Sequence, residues 1–162
     1  MYALAMGGPA DGTRWLLPEE QRAWRSYLEA TKVLMDALDR QLQRDAGLPH
    51  AYYEILVRLS EAEGRALRMS ELAEITLSSR SRLSHAVARL EERGWVAREE
   101  CLTDRRGQIA RLTDAGFAVL VGAAPGHVAA VRRLVVDVLG PRQLAALAAA
   151  SDAIIGAVST DS

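Results

Sequence analysis

The chain has 162 residues, of which 49% are apolar, and its formal net charge is −1. This composition supports a buried core and excludes a disordered polar chain, and the length suits one domain with helical extensions. Because the net charge is close to zero, it neither favours nor excludes a nucleic-acid partner, and any electrostatic binding surface must be local.

Cysteine usage and hydropathy bear on where the protein works. Cys101 is the only cysteine, so an intramolecular disulfide is excluded, which fits a reducing cytoplasm. We find no apolar run of the roughly 20 residues that a membrane-spanning helix needs, and we expect no membrane association. Residues 1–16 lack the basic start and apolar centre of a signal peptide, and we interpret them as a flexible leader.

Helical periodicity dominates both ends of the chain. Apolar residues at three- and four-residue steps predict a first helix from Pro18 to Gly47 and a second helix after Pro49. A further apolar helix opens at the segment LTDAG, with Thr113 as its predicted N-cap, and is expected to kink or break at Pro125. The last helix, rich in alanine and leucine, begins at Pro141.

The middle of the chain has a different pattern. A short helix over residues 69–76 is followed by a brief turn and a helix that stops at Gly94. Two β-prone runs, residues 95–101 and 108–112, flank a polar tip and predict a hairpin. The predicted fold is therefore mainly α with a small β-hairpin wing. It divides into a winged helix-turn-helix at residues 48–112 and helical dimerisation regions at residues 17–47 and 113–158.

The second helix of a helix-turn-helix enters the major groove of DNA. Here Leu83, Ala86, Val87 and Leu90 form the inward stripe, and no acidic residue occurs between Ser78 and Leu90. Serine hydroxyls can reach phosphates or base edges, and arginine can read guanine through two hydrogen bonds. A solvated helix face would look similar on its own. The outward residues predicted to contact DNA are Ser78, Ser81, Arg82, Ser84, His85 and Arg89.

The hairpin tip favours the DNA-binding interpretation, because it carries Asp104, Arg105, Arg106 and Gly107. An arginine at such a tip can enter the narrow and negative minor groove beside the recognition helix. Asp104 can hold an arginine by a charge-assisted hydrogen bond. Gly107 permits the tight turn.

These features together resemble the MarR (multiple antibiotic resistance regulator) family of bacterial transcription factors. The likeness is carried by LEERGWV at the end of the recognition helix, by TDRRGQIARLT in the wing and by the DAG that follows, and it covers residues 17–158. It implies an obligate homodimer that binds palindromic double-stranded DNA. It also implies, in many relatives, a small aromatic or phenolic ligand that releases a repressor from the DNA.

The resemblance also implies roles for individual positions. Arg106 matches the wing arginine that enters the minor groove, Arg105 matches a neighbour that contacts phosphate, and Asp104 matches the acid that braces the wing. The family's recognition-helix contact region covers Ser79, Ser81, Arg82, Ser84 and His85.

Dimerisation is expected on independent physical grounds. A single winged helix-turn-helix needs only the middle of this chain, so the first helix and the last two would expose long apolar faces. Pairing of two chains would bury these faces and set two recognition helices about one DNA turn (~34 Å) apart. The alternative is that the extra helices pack only on their own core.

An effector would bind between the dimer helices and the DNA-binding lobe, where movement can change the spacing of the recognition helices. Trp24, Tyr27, His50 and Tyr53 are the candidate lining residues, ahead of His127. Each of these side chains would also suit a core or surface position, and the sequence does not identify the ligand.

Three other functions have weaker support in the sequence. A thiol sensor could act through Cys101, although the neighbouring Glu99 and Glu100 oppose a thiolate there. A winged-helix dimer could instead serve as a protein-interaction module, but acids on the recognition face would then be expected. For an enzyme, the sequence offers no catalytic cluster, phosphate loop or metal-ligand spacing, so no catalytic residue, metal or cofactor is predicted.

Overall fold

The computed structural model describes residues 13–100 and 107–160. Within this part the chain forms six α-helices and three β-strands, with a 3₁₀ turn at Glu63–Arg65 and a π-helical segment at Arg132–Val136. The contacts divide the chain into two units, Met1–Met35 and Asp36–Ser162. In chain order the elements are α1 (Pro18–Ala46), α2 (His50–Glu61), β1 (Ala66–Arg68), α3 (Met69–Ile75), α4 (Arg80–Glu92), β2 (Val96–Glu100), β3 (Gln108–Leu112), α5 (Asp114–Val131) and α6 (Pro141–Thr160).

The first unit contains the start of α1. Pro18 occupies the first helical position, where its missing N–H is not needed. The backbone N–H of Leu17 donates to the Glu20 carboxylate at 2.8 Å, which satisfies one of the free donors at the helix start. Further along, the Trp24 and Tyr27 rings stack with their centroids 6.1 Å apart, and both side chains are largely exposed.

The second unit is built around one core of leucine and other aliphatic residues. Helices α2, α3 and α4 each turn an apolar stripe inward, and the sheet closes the core with Val96, Ala110 and Leu112. The helical stripe of α4 matches the sequence prediction, since Leu83, Val87 and Leu90 are its buried residues. The largest fully buried side chains of this core are Leu42, Leu48, Leu56, Leu59, Leu72, Leu83, Leu90 and Val87.

The wing is larger than the sequence indicated. The predicted hairpin of β2 and β3 is present, but a third strand, β1, pairs antiparallel with β3 and gives the order β1-β3-β2. Sequence reasoning missed β1 because it has three residues, and its pairing partner Arg111 lies far along the chain from Ala66. The prediction of a mainly helical fold with a small β wing is confirmed.

Two glycines lie where α4, the wing strands and α5 meet. Gly94 has a φ of +72° and ends α4 in the left-handed conformation that glycine adopts without strain. Gly116 lies against the backbone of Trp95, since a Cβ built there would be 2.1 Å from the Trp95 carbonyl oxygen. Thr113 caps α5 by accepting a hydrogen bond from the Gly116 N–H at 3.0 Å. The start of α5 is therefore fixed directly against the base of the wing.

Of the kink or break expected at Pro125, the break is wrong, and the kink stays a prediction. Helix α5 runs without interruption from Asp114 to Val131, and only then does it pass into the π-helical segment. A proline inside a helix removes one backbone hydrogen bond. Buried contacts of Leu120 and Ala123 before it and of Ala130 after it hold the helix together across that position.

The expectation about apolar runs is also wrong. Two stretches, Asp114–Val136 and Pro141–Thr160, are long and apolar enough by length and composition to cross a membrane. The same property is shared by core helices of soluble proteins, and the first stretch packs into the core through Leu120 and Ala123. The second stretch, α6, has no buried residue in the single chain.

Candidate nucleic-acid interface

Helix α4 presents a continuous polar surface on the side opposite its buried stripe. Its start is capped by Ser79, whose hydroxyl accepts a hydrogen bond from the Arg82 N–H at 3.3 Å. The serines at positions 78 and 84 are half-buried. The exposed members of the predicted contact set are Ser79, Ser81, Arg82, His85 and Arg89.

The cations of this surface are available for exchange with an external anion. Arg89 is held by Glu92, with Nη1 donating to the carboxylate at 2.8 Å, and this contact raises the pKa of the Arg89 guanidinium. Both side chains are more than half exposed, so water and salt screen the pair. A phosphate group could therefore replace Glu92 at low cost.

The strands of the wing are stapled by a second ion pair. Arg111 of β3 donates from Nε and Nη2 to the two oxygens of Glu99 on β2, at 2.7 and 3.0 Å. The same guanidinium donates to the Gly64 carbonyl at 2.8 Å, next to β1. Arg111 lowers the pKa of the Glu99 carboxyl, chiefly through its hydrogen bonding to that carboxylate. All three segments of the wing are thus connected by one arginine.

The tip of the wing is only partly covered by the structure. Gly107 is half-buried and leads directly into β3. The predicted contact residues Arg105 and Arg106, the bracing residue Asp104 and the thiol of Cys101 lie outside the described residues. Their roles stay predictions, and the strands on either side fix only where the tip begins and ends.

The two segments that carry the ligand candidates differ in character. Trp24 and Tyr27 form their own stacked pair in the first unit. In the second unit, Tyr53 and His50 of α2 meet His127 of α5, with ring centroids 4.6 and 5.7 Å from the His127 ring. His127, the least favoured of the candidates predicted from the sequence, therefore lies at the centre of this cluster.

The cluster around His127 is tied to α1 by a buried amide. The His127 Nδ1 atom lies 3.3 Å from Oε1 of Gln41, and Gln41 Nε2 donates to Asp45 at 2.8 Å. Burial, with a smaller contribution from the charge of His50, lowers the pKa of His127. Burial also raises the pKa of Tyr53. Both rings are therefore held in their neutral forms near pH 7.

A separate open cavity of about 340 Å³ lies at the turn between α3 and α4, away from these aromatic rings. Its walls include Ser78, Ser79 and Arg80 of the helix-turn-helix, together with the exposed Leu77. Leu77 has a φ of 49°, an unusual conformation for a residue with a side chain. The cavity belongs to the same surface as the start of the recognition helix.

Metal binding has no support in the described part of the chain, where no three His, Cys, Asp or Glu side chains come together as a ligand set.

The residues that sequence reasoning missed are structural partners of the interface. Glu91, Arg98 and Arg111 each form contacts that join different elements, and long-range pairs of this kind leave no local sequence pattern.

A capped polar helix beside a braced β wing defines a winged helix-turn-helix protein. A sequence profile described as MarR family matches residues 46–107. The solved structure of Sco3205, a MarR family transcriptional regulator from Streptomyces coelicolor in complex with DNA, is 57% identical, with a TM-score of 0.85 over 88% of this chain and 90% of that one. AbsC, a MarR family transcriptional regulator from the same organism, is 46% identical, with a TM-score of 0.86 over 91% of this chain and 99% of that one.

The chain belongs to the MarR family of transcriptional regulators. It also matches the transcriptional repressor MprA of Escherichia coli strain K12, at 32% identity over 79 residues. That match spans 49% of this chain and 45% of the repressor, somewhat under half of its length. These relatives are transcriptional regulators and not enzymes, which agrees with the prediction from the sequence.

Proposed function

We propose that the chain is a cytoplasmic, homodimeric repressor that binds palindromic double-stranded DNA. The observation that carries the proposal is the polar surface of α4, which has no acidic residue from Arg80 to Leu90, is held by a buried stripe and is followed by a braced wing. The DNA complex of Sco3205 and the name of the MprA repressor support it by similarity. In this proposal residues 48–112 bind DNA, and residues 17–47 and 113–158 form the dimer.

The proposed contacts fall into two classes. The recognition helix enters the major groove, and Arg105 and Arg106 at the wing tip reach phosphate and the minor groove, with Asp104 and Gly107 bracing the turn. Arg89 exchanges Glu92 for a DNA group when the complex forms. The recognition-helix contacts are Ser78, Ser79, Ser81, Arg82, Ser84, His85 and Arg89.

Dimerisation explains the exposed apolar surface of the terminal helices. Helix α6 has 20 residues, and none of them is buried in the single chain. Its outward Ile155 and Val158 are each 63% exposed, and Val128 of α5 is 55% exposed. A continuous exposed apolar surface of this size is typical of an interface, so we expect α6 to have a covering partner. A second copy of the chain supplies it and pairs the two recognition helices for a palindromic site.

The repressor is proposed to respond to a small aromatic effector. The His50–Tyr53–His127 cluster joins α2 of the DNA-binding region to α5 of the dimerisation region. A ligand that displaced His127 from Gln41 would alter the joint between these regions. Trp24 and Tyr27 are the other candidate contacts, and a thiol response through Cys101 is the alternative. Release of bound DNA by a panel of phenolic acids, monitored by fluorescence anisotropy, tests this part of the proposal.

The main test is fluorescence-anisotropy binding of the purified protein to DNA upstream of its own gene. We expect binding that survives excess random DNA and weakens steeply with salt, because counterions are released from the phosphates. Arg106→Ala should lower the affinity more than tenfold, since an arginine in the minor groove contributes strongly there, and should leave the dimer intact by light scattering. Arg58→Ala, on α2, is the control for loss of a positive charge.

The outcomes separate the candidate functions. Unchanged affinity in Arg106→Ala, with normal binding by the parent protein, would reject the assignment of the wing tip. Binding to the upstream DNA that is no tighter than to random DNA leads to selection of a tight duplex from a random library. Failure of that selection would favour the alternative, a winged-helix dimer that binds a protein partner.

A further inference from the structure

We infer that Glu91 and Arg98 are positioning residues, which set the wing at a fixed distance and angle from the recognition helix. This inference rests on the proposed function, because the spacing matters only if both elements contact one stretch of DNA. Glu91 lies in the last turn of α4, and Arg98 is the central residue of β2.

Glu91 binds Arg98 at two points. Its Oε1 atom accepts a hydrogen bond from the Arg98 backbone N–H at 3.1 Å, and its Oε2 atom lies 2.6 Å from the Arg98 Nε. The Nε contact is an ion pair rather than an aligned hydrogen bond, since within the described residues this buried atom has no hydrogen-bond partner. One carboxylate thus holds both the backbone and the side chain of the same wing residue.

Arg98 extends the connection back along the recognition helix. Its Nη2 atom donates to the backbone carbonyl of Ser84, at 3.4 Å, two turns before Glu91. Ser84 is also one of the proposed DNA contacts. The guanidinium therefore spans the wing strand, the end of α4 and the part of α4 that would face the major groove.

The sheet order explains why this connection is needed. Strand β2 lies at the edge of the sheet, because β3 is the central strand and pairs with both neighbours. Arg98 is paired with Ala110 on one side. On the other side its N–H would be a free edge donor, and Glu91 accepts it. A side chain of the recognition helix thus accepts the backbone hydrogen bond that a further strand would otherwise accept from Arg98.

Burial distinguishes this pair from the other ion pairs of the interface. The Arg98 and Glu91 side chains are 21% and 32% exposed, whereas those of Arg89 and Glu92 are 67% and 61% exposed. Because less water competes for the charges, the inner pair holds its geometry more firmly than the outer one. The outer pair can open to release Arg89, and the inner pair stays closed.

The fixed geometry has a direct consequence for recognition. The helix must lie in a major groove while the wing tip reaches the adjacent minor groove, and this arrangement succeeds only at one relative position. If the wing could swing about the end of α4, the tip would lose entropy on binding and would tolerate wrong sites. The pair therefore acts on selectivity for the correct site more than on general attraction to DNA.

The experiment compares three variants of the full chain: Glu91→Gln, Arg98→Lys and Glu61→Gln. Arg98→Lys keeps the positive charge and removes the planar fork. Glu61→Gln is the matched control, because it removes the same charge from an exposed ion pair at the end of α2, away from the proposed DNA contacts. The readout is the selectivity ratio, which is the affinity for a duplex that the unaltered protein selects from a random library divided by the affinity for random DNA. Thermal unfolding and amide exchange of the Arg98 N–H without DNA are measured in parallel.

We expect Glu91→Gln to lower the selectivity ratio about tenfold, and Arg98→Lys to lower it by a smaller factor, as typical for residues in direct contact. The ratio for Glu61→Gln should stay within about twofold of the parent value. Amide exchange at Arg98 should become faster in Glu91→Gln.

A folded Glu91→Gln protein with faster exchange and an unchanged ratio would overturn the inference, because the pair would then be structural only. An equal fall in Glu91→Gln and Glu61→Gln would overturn it as well, because the effect would then be one of net charge. If the unaltered protein selects no duplex, the proposed function itself fails, and the positioning role fails with it.

Discussion

The middle of the chain and its last helix are both apolar, yet they stand in opposite relation to water. In the middle, leucines of α2, α3 and α4 meet one another and are fully buried. In α6, residues of the same chemical type are not buried in the single chain. Apolar content alone therefore does not reveal what is core. The difference separates a region that folds on itself from one whose apolar surface, in the proposed function, is covered by a second copy of the chain.

The largest expected effect comes from the self-sufficient region. Leu56 of α2 is 0% exposed, and Leu56→Ala should lower the free energy of unfolding by about 2–5 kcal/mol, through lost burial and the cavity left behind. Chemical denaturation measures it. Leu147→Ala is the matched truncation in α6, where the leucine is 43% exposed in the single chain. Equal losses at low protein concentration, where the dimer dissociates, would erase the contrast between the two regions.

A smaller but more specific effect is expected in the region that needs a partner. Ile155→Asp introduces a charge into the exposed apolar surface of α6, and burial of an unpaired charge in an interface is strongly unfavourable. We expect the dissociation constant of the dimer to rise more than about a hundredfold, measured by analytical ultracentrifugation. Gln143→Glu adds a charge to the first turn of the same helix and should leave the dimer intact. A dimeric Ile155→Asp protein would show that α6 lies outside the interface.

The smallest expected effect lies at His127 of α5, which packs on α2 of the self-sufficient region. Because the pKa of His127 is lowered in the folded protein, the unfolded chain takes up protons more readily there. The contribution of this group to stability is therefore complete above its ordinary pKa of 6.5 and is lost as the pH falls through and below that value. The free energy of unfolding, measured between pH 7.5 and pH 5, should fall as the pH falls. The slope of this dependence on pH should decrease in His127→Gln and persist in Tyr53→Phe. Identical slopes in all three proteins would remove His127 as the source.

Much of the fold could be predicted from the sequence because its signals are local. The stripe of Leu83, Val87 and Leu90, the glycine stop at Gly94 and the threonine cap at Thr113 all act within a few residues, and the structure agrees with each of them. The continuity of α5 through Pro125 could not be predicted this way. Packing on both sides of the proline outweighs the local cost, and that packing depends on residues distant in the sequence.

The same distinction applies to the candidate site. The polar character of the recognition surface could be predicted from spacing alone, because a helix exposes every third or fourth residue. The Glu91–Arg98 pair and the tie between Gln41 and His127 could not. Each depends on how separate elements approach one another. The predicted contacts at Arg105 and Arg106 stay predictions, because they lie outside the described residues.

The joint at Gly116 gives the molecule a mechanical property. The Trp95 carbonyl accepts the Thr113 N–H at 3.1 Å and occupies the space in which a larger residue would need its Cβ. Close-packed contacts of this kind transmit displacement rather than absorb it. A tilt of α5 therefore displaces the base of the wing as well, because the contact between Gly116 and the Trp95 backbone leaves no free space. Any event that shifts the start of α5 therefore also shifts the base of the wing.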